Sequence, residues 1–248
     1  MAQWIVHGLG RFDIAYATSQ FSRFTNKPRV GHLDGIMRVF GYLQTYPDKT
    51  LAIDPSTPRF VHKFDKTTRR EMQSEYPEAV EELSINAPTP CFQPFPTTCF
   101  VDASHGGDQG SRRSISGILL FVGSTVVLGK SKMQPAVQSS TFTAEFMAMR
   151  TATELIMGLR FLLRSLGVPV TEPTRMYGDN EASINNATHF TACLKRKHNA
   201  ISYLRVRECV AAGVIDLTHI NTDWNYADML TKGLCASKLT TFRDQIMY

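Results

Sequence analysis

The segment Thr97-Thr98-Cys99-Phe100-Val101-Asp102-Ala103-Ser104 combines an apolar run with a carboxylate near its end. Cys99, Phe100 and Val101 lie between turn-forming neighbours, which is typical of a buried β-strand. An aspartate is unexpected there, because a central strand normally buries apolar side chains. Asp102 therefore marks a position that folding alone does not explain.

The residues after this segment predict two more strands and then alternating helices and strands. Strands are expected over 114–122 and 126–131, with a turn at Gly123-Ser124 between them. Apolar residues then recur at helical spacing over 143–166. The remaining predicted elements are a strand over 175–177, helices from 181 and over about 197–212, a strand over 214–220 and a helix from about 225. This order predicts an α/β fold, a mixed five-stranded sheet flanked by helices.

The residues before this segment predict a small helical part and a connector. Helices are expected over about 12–23 and 32–45. An acidic stretch and a cluster of prolines over 51–96 disfavour long helices and central strands. We therefore expect four parts, which are a helical segment at 1–50, a connector at 51–96, the α/β domain at 97–235 and a C-terminal tail at 236–248.

The composition limits the class of protein. The chain has 248 residues, of which 43% are hydrophobic and 20% charged. This is enough apolar material for a sizeable core, and it excludes a disordered or collagen-like chain. The formal net charge of +5 permits a polyanionic partner without requiring one.

Cysteine usage and hydropathy indicate an intracellular protein. None of the five cysteines forms a Cys-x-x-Cys pair, so neither a disulfide framework nor a zinc ribbon is indicated. The longest apolar run, Ile118 to Leu128, is far shorter than the ~20 residues that a membrane-spanning helix needs. The first residues lack the features of a secretory signal. We therefore expect a reducing compartment and no membrane partner.

Three further carboxylates occupy positions comparable to that of Asp102. Glu145 lies in the first turns of the long predicted helix. Asp179 directly follows a predicted strand, and Asp228 opens the last predicted helix. Taken singly, each acid has an ordinary interpretation, as a cap of a turn or helix or as a partner of a helix dipole.

Taken together, the four acids indicate a metal site. Carboxylates that converge at one end of a sheet repel one another and raise one another's pKa unless divalent cations neutralise them. Hard oxygen ligands of this kind select Mg²⁺ or Mn²⁺. Two such ions would activate a water and stabilise the leaving oxygen of a phosphodiester. The residues alone therefore indicate metal-dependent phosphodiester hydrolysis.

A set of short motifs, in order along residues 97–234, resembles the ribonuclease H domain of copia-type retrotransposon polyproteins. The motifs are Asp102-Ala103-Ser104, Arg112-Arg113-Ser114-Ile115-Ser116-Gly117, Ala144-Glu145-Phe146-Met147-Ala148, Tyr177-Gly178-Asp179-Asn180-Glu181-Ala182-Ser183-Ile184, Lys197-His198, Arg207-Glu208 and Ala227-Asp228-Met229-Leu230-Thr231-Lys232. Residues 11–46 look like the thumb-like tail of the reverse transcriptase from the same kind of polyprotein. No Tyr-x-Asp-Asp stretch is present, so we expect no polymerase active site in this chain.

The resemblance implies an endonuclease that cleaves the RNA strand of RNA–DNA hybrids during reverse transcription. It implies that Asp102, Glu145, Asp179 and Asp228 are the catalytic, metal-binding set, with two Mg²⁺ ions and Mn²⁺ as the alternative. The implied partners are the hybrid and the polymerase portion of the same polyprotein, with the oligomeric state left open. The implied location is the cytoplasm, including virus-like particles there, or the nucleus.

Candidate substrate contacts follow from the same resemblance and from residue chemistry. Ser104 is a candidate for a phosphate or a 2′-hydroxyl, and Asn180 for the 2′-hydroxyl that distinguishes RNA from DNA. Lys197 and His198 belong to a basic cluster over 195–198, which is either a solvated helix end or a phosphate contact. Trp224 and Phe190 are interpreted either as packing or as stacking on nucleotides.

Two departures from the family pattern concern the catalytic region. The family usually has a second acid two residues before the helix glutamate, where this chain has Thr143. Cellular relatives carry a histidine in the loop before the last aspartate, whereas the nearest here, His219, falls on the predicted strand. The alternative to an enzyme is a catalytically inactive ribonuclease H-like fragment of a decayed element that binds nucleic acid or acts as a tether.

Overall fold

Five strands form one mixed sheet in this computed structural model, which describes residues 2–51, 53–54, 56, 66–83, 85–189 and 200–247. The strands are β1 (Thr97–Ser104), β2 (Ile115–Val122), β3 (Thr125–Met133), β4 (Thr174–Gly178) and β5 (Ile215–His219). Their order across the sheet is β3-β2-β1-β4-β5. β2 is antiparallel to both of its neighbours, β1 and β3, whereas β4 is parallel to β1 and β5 is parallel to β4. The predicted mixed five-stranded sheet flanked by helices is confirmed.

Eight α-helices accompany the sheet in the described part of the chain. They are α1 (Ala2–Gly8), α2 (Ala15–Ser22), α3 (Val30–Thr45), α4 (Lys66–Glu75), α5 (Thr141–Ser165), α6 (Glu181–Thr188), α7 (Ala200–Ala211) and α8 (Ala236–Ile246). α1, α4 and α8 are additions to the predicted elements. No helix among these residues is both long enough and apolar enough to cross a membrane.

The predicted helix from about residue 225 is wrong. A short 3-10 turn, Tyr226–Leu230, occupies that position, and the regular helix α8 begins only at Ala236. All five residues of the turn are buried. The backbone here closes tighter turns than an α-helix, as the Thr231 backbone N–H shows by donating to the Asp228 carbonyl three residues earlier at 3.2 Å. The Asn225 side chain starts this path by accepting a hydrogen bond from the Ala227 backbone N–H at 3.2 Å.

Alternate residues of the strands supply two cores, one on each face of the sheet. Cys99 and Val101 of β1 face the first core, which α5 and α7 cover with residues such as Phe146 and Val206. Phe100 of β1 faces the second core. That core is closed by Tyr226, Phe242 and Ile246 from the C-terminal part of the chain and by Phe12, Ile14 and Val39 from the N-terminal part.

Both segments outside 97–235 contribute to these cores. Phe12 lies so close over Gly129 of β3 that a Cβ at Gly129 would fall 2.3 Å from its ring. Met72 of α4 is completely buried in the first core. α8 lies within the predicted C-terminal tail and buries Phe242 in the second core. The three boundaries between the four predicted parts stay a prediction, but described residues of all four parts share the two cores.

A salt-bridge cluster fastens the segment after α4 to the far end of α5. The Glu81 carboxylate accepts hydrogen bonds from Arg160 and Arg164 at 2.7–2.8 Å, with both guanidiniums binding through two nitrogens. Arg160 also donates to the Glu172 carbonyl at 2.8 Å. Partial burial alone would raise the pKa of Glu81, but the two guanidiniums outweigh it and lower that pKa to about 2.

We expect Glu81→Gln to lower the free energy of unfolding by about 2 kcal/mol, because charge-assisted hydrogen bonds to two arginines are lost. The folded-state pKa of Glu81 lies below its usual 4.5. Its contribution is therefore complete above about pH 5 and decreases as the pH falls toward 2. Thermal melting of both proteins between pH 7 and pH 3 measures this difference.

Glu82→Gln is the matched control, because Glu82 is the exposed neighbour in the same segment. This variant should melt within ~0.5 kcal/mol of the original protein at every pH. A stability loss in Glu81→Gln that does not shrink toward low pH would contradict the role given to its charge.

Candidate metal centre

Three of the four predicted acids converge at one edge of the sheet. Asp102 lies near the end of β1, Asp179 directly follows β4, and Glu145 lies near the start of α5. Each offers a carboxylate oxygen, and these three oxygens all lie within 4.8 Å of one another. Because β1 and β4 are parallel neighbours, their carboxyl ends meet at the same edge.

The start of α5 fixes the position of Glu145. Ser140 caps the helix by accepting a hydrogen bond from the Thr143 backbone N–H at 3.3 Å. The Thr143 hydroxyl in turn donates to the Ser140 carbonyl at 2.8 Å. The Thr143 side chain therefore belongs to the helix cap. The Ala103 backbone N–H donates a hydrogen bond to Glu145, which ties the helix to β1.

Asp228 lies beside this group and is held differently. Its side chain is completely buried, and its two oxygens lie 2.8 Å from Lys232 Nζ and 3.1 Å from Lys238 Nζ. Among the described residues, the set of oxygens within 4.8 Å of one another comprises Asp102, Glu145 and Asp179 and leaves Asp228 out. The chain therefore neutralises its fourth acid with two of its own lysines.

The segment that carries Asp228 contacts β1 and β2 directly. Gly117 of β2 pairs opposite Asp102, and a Cβ at Gly117 would fall 2.7 Å from the Ala227 carbonyl oxygen. Only glycine therefore allows this close approach. The Thr231 hydroxyl donates a hydrogen bond to the Asp102 carboxylate. This contact links the last acid's segment to the first acid.

Burial and mutual repulsion raise the pKa values of the two most buried acids of the group. For Asp102, burial is the largest cause, Asp228 and Asp179 add to it, and its pKa rises to about 7 despite the Thr231 hydrogen bond. For Glu145, burial and then the charges of Asp102 and Asp179 hold the pKa well above its usual 4.5.

The donor set fits a hard divalent cation. Three oxygen ligands converge, and the raised pKa values of Asp102 and Glu145 show that the nearby Lys232 does not offset the repulsion at these two acids. A Mg²⁺ or Mn²⁺ ion would favour the charged forms of these carboxylates and remove that repulsion. The arrangement can therefore hold such an ion.

Of the candidate substrate contacts, two lie in the described part of the chain. Ser104 ends β1, and a Cβ at the nearby Gly107 would fall 2.7 Å from its hydroxyl oxygen. Asn180 caps α6, accepting a hydrogen bond from the Ser183 backbone N–H at 3.0 Å. Lys197 and His198 lie outside the described residues, as do Lys195, Arg196 and Phe190.

Two other side chains lie at the same edge. His219 ends β5, and its Nε2 lies 3.2 Å from the Asp179 carbonyl oxygen. Trp224 is 63% exposed, so packing does not account for most of its ring. Sequence reasoning gave no role to Thr231 or Lys238. Thr231 follows Asp228 by one helical turn and could have been found, whereas Lys238 reaches the site only because α8 packs there.

Comparisons with known proteins give relatives of one kind. The chain is 24% identical over 236 residues to the Retrovirus-related Pol polyprotein from transposon RE1 of Arabidopsis thaliana. It is also 24% identical over 236 residues to that from transposon TNT 1-94 of Nicotiana tabacum. Each match covers 95% of this chain but only 14% or 15% of the relative. The predicted resemblance to a retrotransposon polyprotein is confirmed. No model of a protein family matches the chain.

Solved structures similar to the chain include ribonucleases H. RNase H1 from Halobacterium salinarum NRC-1 is 17% identical with a TM-score of 0.42, and the match covers 55% of this chain and 94% of that one. An N-terminal RNase H domain from Mycobacterium tuberculosis is 12% identical with a TM-score of 0.43, covering 60% and 97% of the two chains.

We expect Asp102→Asn to stabilise the metal-free protein, because it removes a buried charge that two neighbouring carboxylates repel. Asp102 has a folded-state pKa of about 7, above its usual 3.8. Its ionisation therefore costs stability progressively between about pH 4 and pH 7, and the full cost is present above pH 7. The gain in melting temperature should grow over that interval in buffer with a chelator.

Asp34→Asn is the matched control, because Asp34 is an exposed aspartate on α3. It removes the same charge and should leave the melting temperature nearly unchanged at all pH values. An Asp102→Asn protein that melts below the original at pH 7 in chelator would contradict the repulsion described here.

Proposed function

We propose that this chain is a metal-dependent endonuclease that hydrolyses the RNA strand of RNA–DNA hybrids during retrotransposon reverse transcription. The observation that carries the proposal is the convergence of Asp102, Glu145 and Asp179 within 4.8 Å at the carboxyl edge of the sheet. Buried acids that repel one another cost stability, so a metal-binding role explains their presence better than folding does. The similarity to Pol polyproteins supports the substrate class.

We propose that Asp102, Glu145, Asp179 and Asp228 hold two Mg²⁺ ions, with Mn²⁺ as the alternative. When bound, two such ions supply the activation of a water and the stabilisation of the leaving oxygen. The chain itself orients the ligands. Thr231 fixes one Asp102 oxygen by its hydrogen bond, and the Ala103 N–H fixes Glu145.

We propose that the residues beside the acids orient the RNA strand. The Ser104 hydroxyl, at the end of β1, would bind a phosphate or a 2′-hydroxyl. The Asn180 side-chain oxygen caps α6 by accepting a hydrogen bond. The amide N–H₂ of the same side chain is therefore the group that would donate to a 2′-hydroxyl. Lys197 and His198 are proposed as phosphate contacts on the strength of the resemblance alone.

The proposed protein partner is the polymerase portion of a polyprotein. This chain spans about one seventh of its curated relatives, 14% of one and 15% of another. Its N-terminal helices, which resemble the end of a reverse transcriptase, pack on the second core through Phe12 and Val39. The proposed location is the cytoplasm, including virus-like particles, or the nucleus, where reverse transcription would take place.

One observation favours a second candidate, an inactive nucleic-acid-binding or tethering fragment. Lys232 and Lys238 already pair with Asp228, so the charge of one of the four acids is compensated without a cation. If this pairing persists with Mg²⁺ present, the chain keeps the fold without completing the metal site. Metal-dependent cleavage and metal-dependent stability separate the two candidates.

We expect the purified chain to cleave RNA in an RNA–DNA hybrid when Mg²⁺ is present. Asp102→Asn and Glu145→Gln should each reduce the rate by roughly 100-fold or more, because each removes a ligand charge. Asp34→Asn, the exposed control on α3, should cleave at the original rate. A gel assay with a labelled RNA strand, beside single-stranded RNA and duplex DNA, measures rate and substrate class.

We also expect Mg²⁺ to raise the melting temperature, because a ligand that binds only the native state stabilises it by mass action. Asp102→Asn should lose most of this increase, and Asp34→Asn should keep it. Folded protein that neither cleaves the hybrid nor gains stability from Mg²⁺ would exclude the nuclease and leave the tethering fragment.

A further inference from the structure

The loop after β5 is anchored on both sides to the main chain that carries the catalytic acids. Before the loop, the Ile220 backbone N–H donates to the Gly178 carbonyl at 2.9 Å. After it, the buried Asn225 side chain donates to the Val101 carbonyl at 3.1 Å. Gly178 precedes Asp179, and Val101 precedes Asp102. The loop 221–224 therefore crosses the sheet edge between the strands that carry these two aspartates.

The loop is also fixed from within and from α8. The Asn221 side chain accepts a hydrogen bond from the Asp223 backbone N–H at 2.9 Å. The Trp224 backbone N–H donates to the Asn221 backbone carbonyl at 2.8 Å. Lys238 donates to the Thr222 carbonyl at 3.1 Å with the same ammonium group that binds Asp228. The four acids Asp102, Glu145, Asp179 and Asp228 are called the acid site from here on. The loop and the acid site are therefore linked by hydrogen bonds, through Lys238 and through the main chain.

This anchored loop presents an aromatic ring to solvent. Trp224 is 63% exposed, although the next two residues, Asn225 and Tyr226, are buried. An exposed tryptophan on a restrained backbone loses little conformational freedom when a ligand packs on it. Beside it lies a groove of about 640 Å³, whose lining combines aromatic rings such as Phe100 and Tyr226 with the amides of Asn221 and Gln245 and the carboxylates of Asp54 and Asp244. Apolar walls with a few amides suit a planar, polar-edged ligand.

The charges around the groove are mixed, because Asp54 and Asp244 line it and Asp223, next to Trp224, lies 3.7 Å from the Lys238 ammonium. The ammonium groups of Lys238 and Lys232 lie on the side of the acid site. At the far end, Asp244 is paired with Lys49 at 2.9 Å and with Arg243 at 3.0 Å, so its charge is compensated. A strand leaving the acid site would therefore meet Trp224 without passing an uncompensated Asp244.

We propose that Trp224 is a substrate-positioning residue that stacks on a nucleobase of an unpaired strand where it leaves the hybrid next to the catalytic acids. Bases inside a duplex already stack on each other, so an aromatic side chain reaches a base face where the strand is single. The inference rests on the proposed nuclease function. It adds a substrate preference, which is for hybrids that adjoin a single-stranded extension.

Cleavage of two substrates tests this preference. One is a blunt RNA–DNA hybrid, and the other is the same hybrid with a single-stranded extension beside the cleaved end. Trp224→Ala should raise KM for the extended hybrid by roughly tenfold, as lost base stacking does, with kcat unchanged. For the blunt hybrid, KM and kcat should both stay the same. Trp224→Phe, which keeps an aromatic face, should restore most of the preference.

Fluorescence tests the contact without cleavage. The chain has two tryptophans, Trp4 on α1 and Trp224. In Trp4→Phe, the emission reports on Trp224 alone, and a single-stranded DNA oligonucleotide added in chelator should quench it. In Trp224→Phe, where Trp4 is the only reporter, the same oligonucleotide should leave the emission unchanged.

The two measurements separate this inference from the function on which it rests. Quenching of Trp224 without cleavage of any hybrid would remove the nuclease and keep the stacking contact. Two outcomes would overturn the stacking contact and keep the nuclease. One is cleavage of hybrids by a protein whose Trp224 emission is not quenched, and the other is an equal increase in KM for blunt and extended hybrids in Trp224→Ala.

Discussion

The parallel pairing of β1 with β4 is the constraint on which the rest of the site depends. Phe100 of β1 pairs with Tyr177 of β4, so Asp102 and Asp179 each lie two residues beyond a shared rung. A shift of one residue in this register would turn one aspartate to the opposite face of the sheet. The pairing also buries Phe100 and Tyr177 in the second core, with their ring centroids 5.2 Å apart. Packing thus selects the register that the carboxylates need.

The sequence predicts most of what this constraint controls. The strand-like run before Asp102 and the long helical pattern around Glu145 each contain enough local signal to place one acid at an element end. The sequence could not predict how Asp228 is held, because its lysine partner on α8 arrives through tertiary packing. The segment after Asn225 looks like an α-helix to local rules, but its backbone forms a short 3-10 turn that ends at Leu230. The sequence did not predict α4 because that segment is polar overall, and among its described side chains, 69–75, Met72 is the one buried in a core.

Stability and chemistry oppose each other at this edge of the molecule. Burial raises the pKa of Asp102 and of Glu145. The fold therefore favours the neutral form of these two carboxyl groups, whereas water would favour the charged form. Burying these carboxylates lowers the free energy of unfolding. The two apolar cores, one on each face of the sheet, offset this loss. Asp228 shows a different solution within the same few residues, because ammonium groups of the chain compensate its charge.

The interleaving of distant segments bears on how such a chain would behave if its backbone were cut. Glu81 is bound to Arg160 and Arg164, Met72 is enclosed in the first core, and Phe12 is enclosed in the second. A protease that cleaved between residues 82 and 96 would break one peptide bond and leave these contacts intact. The two products would remain a noncovalent complex with the same acid site, so processing at that position would change the number of polypeptides without dividing the molecule.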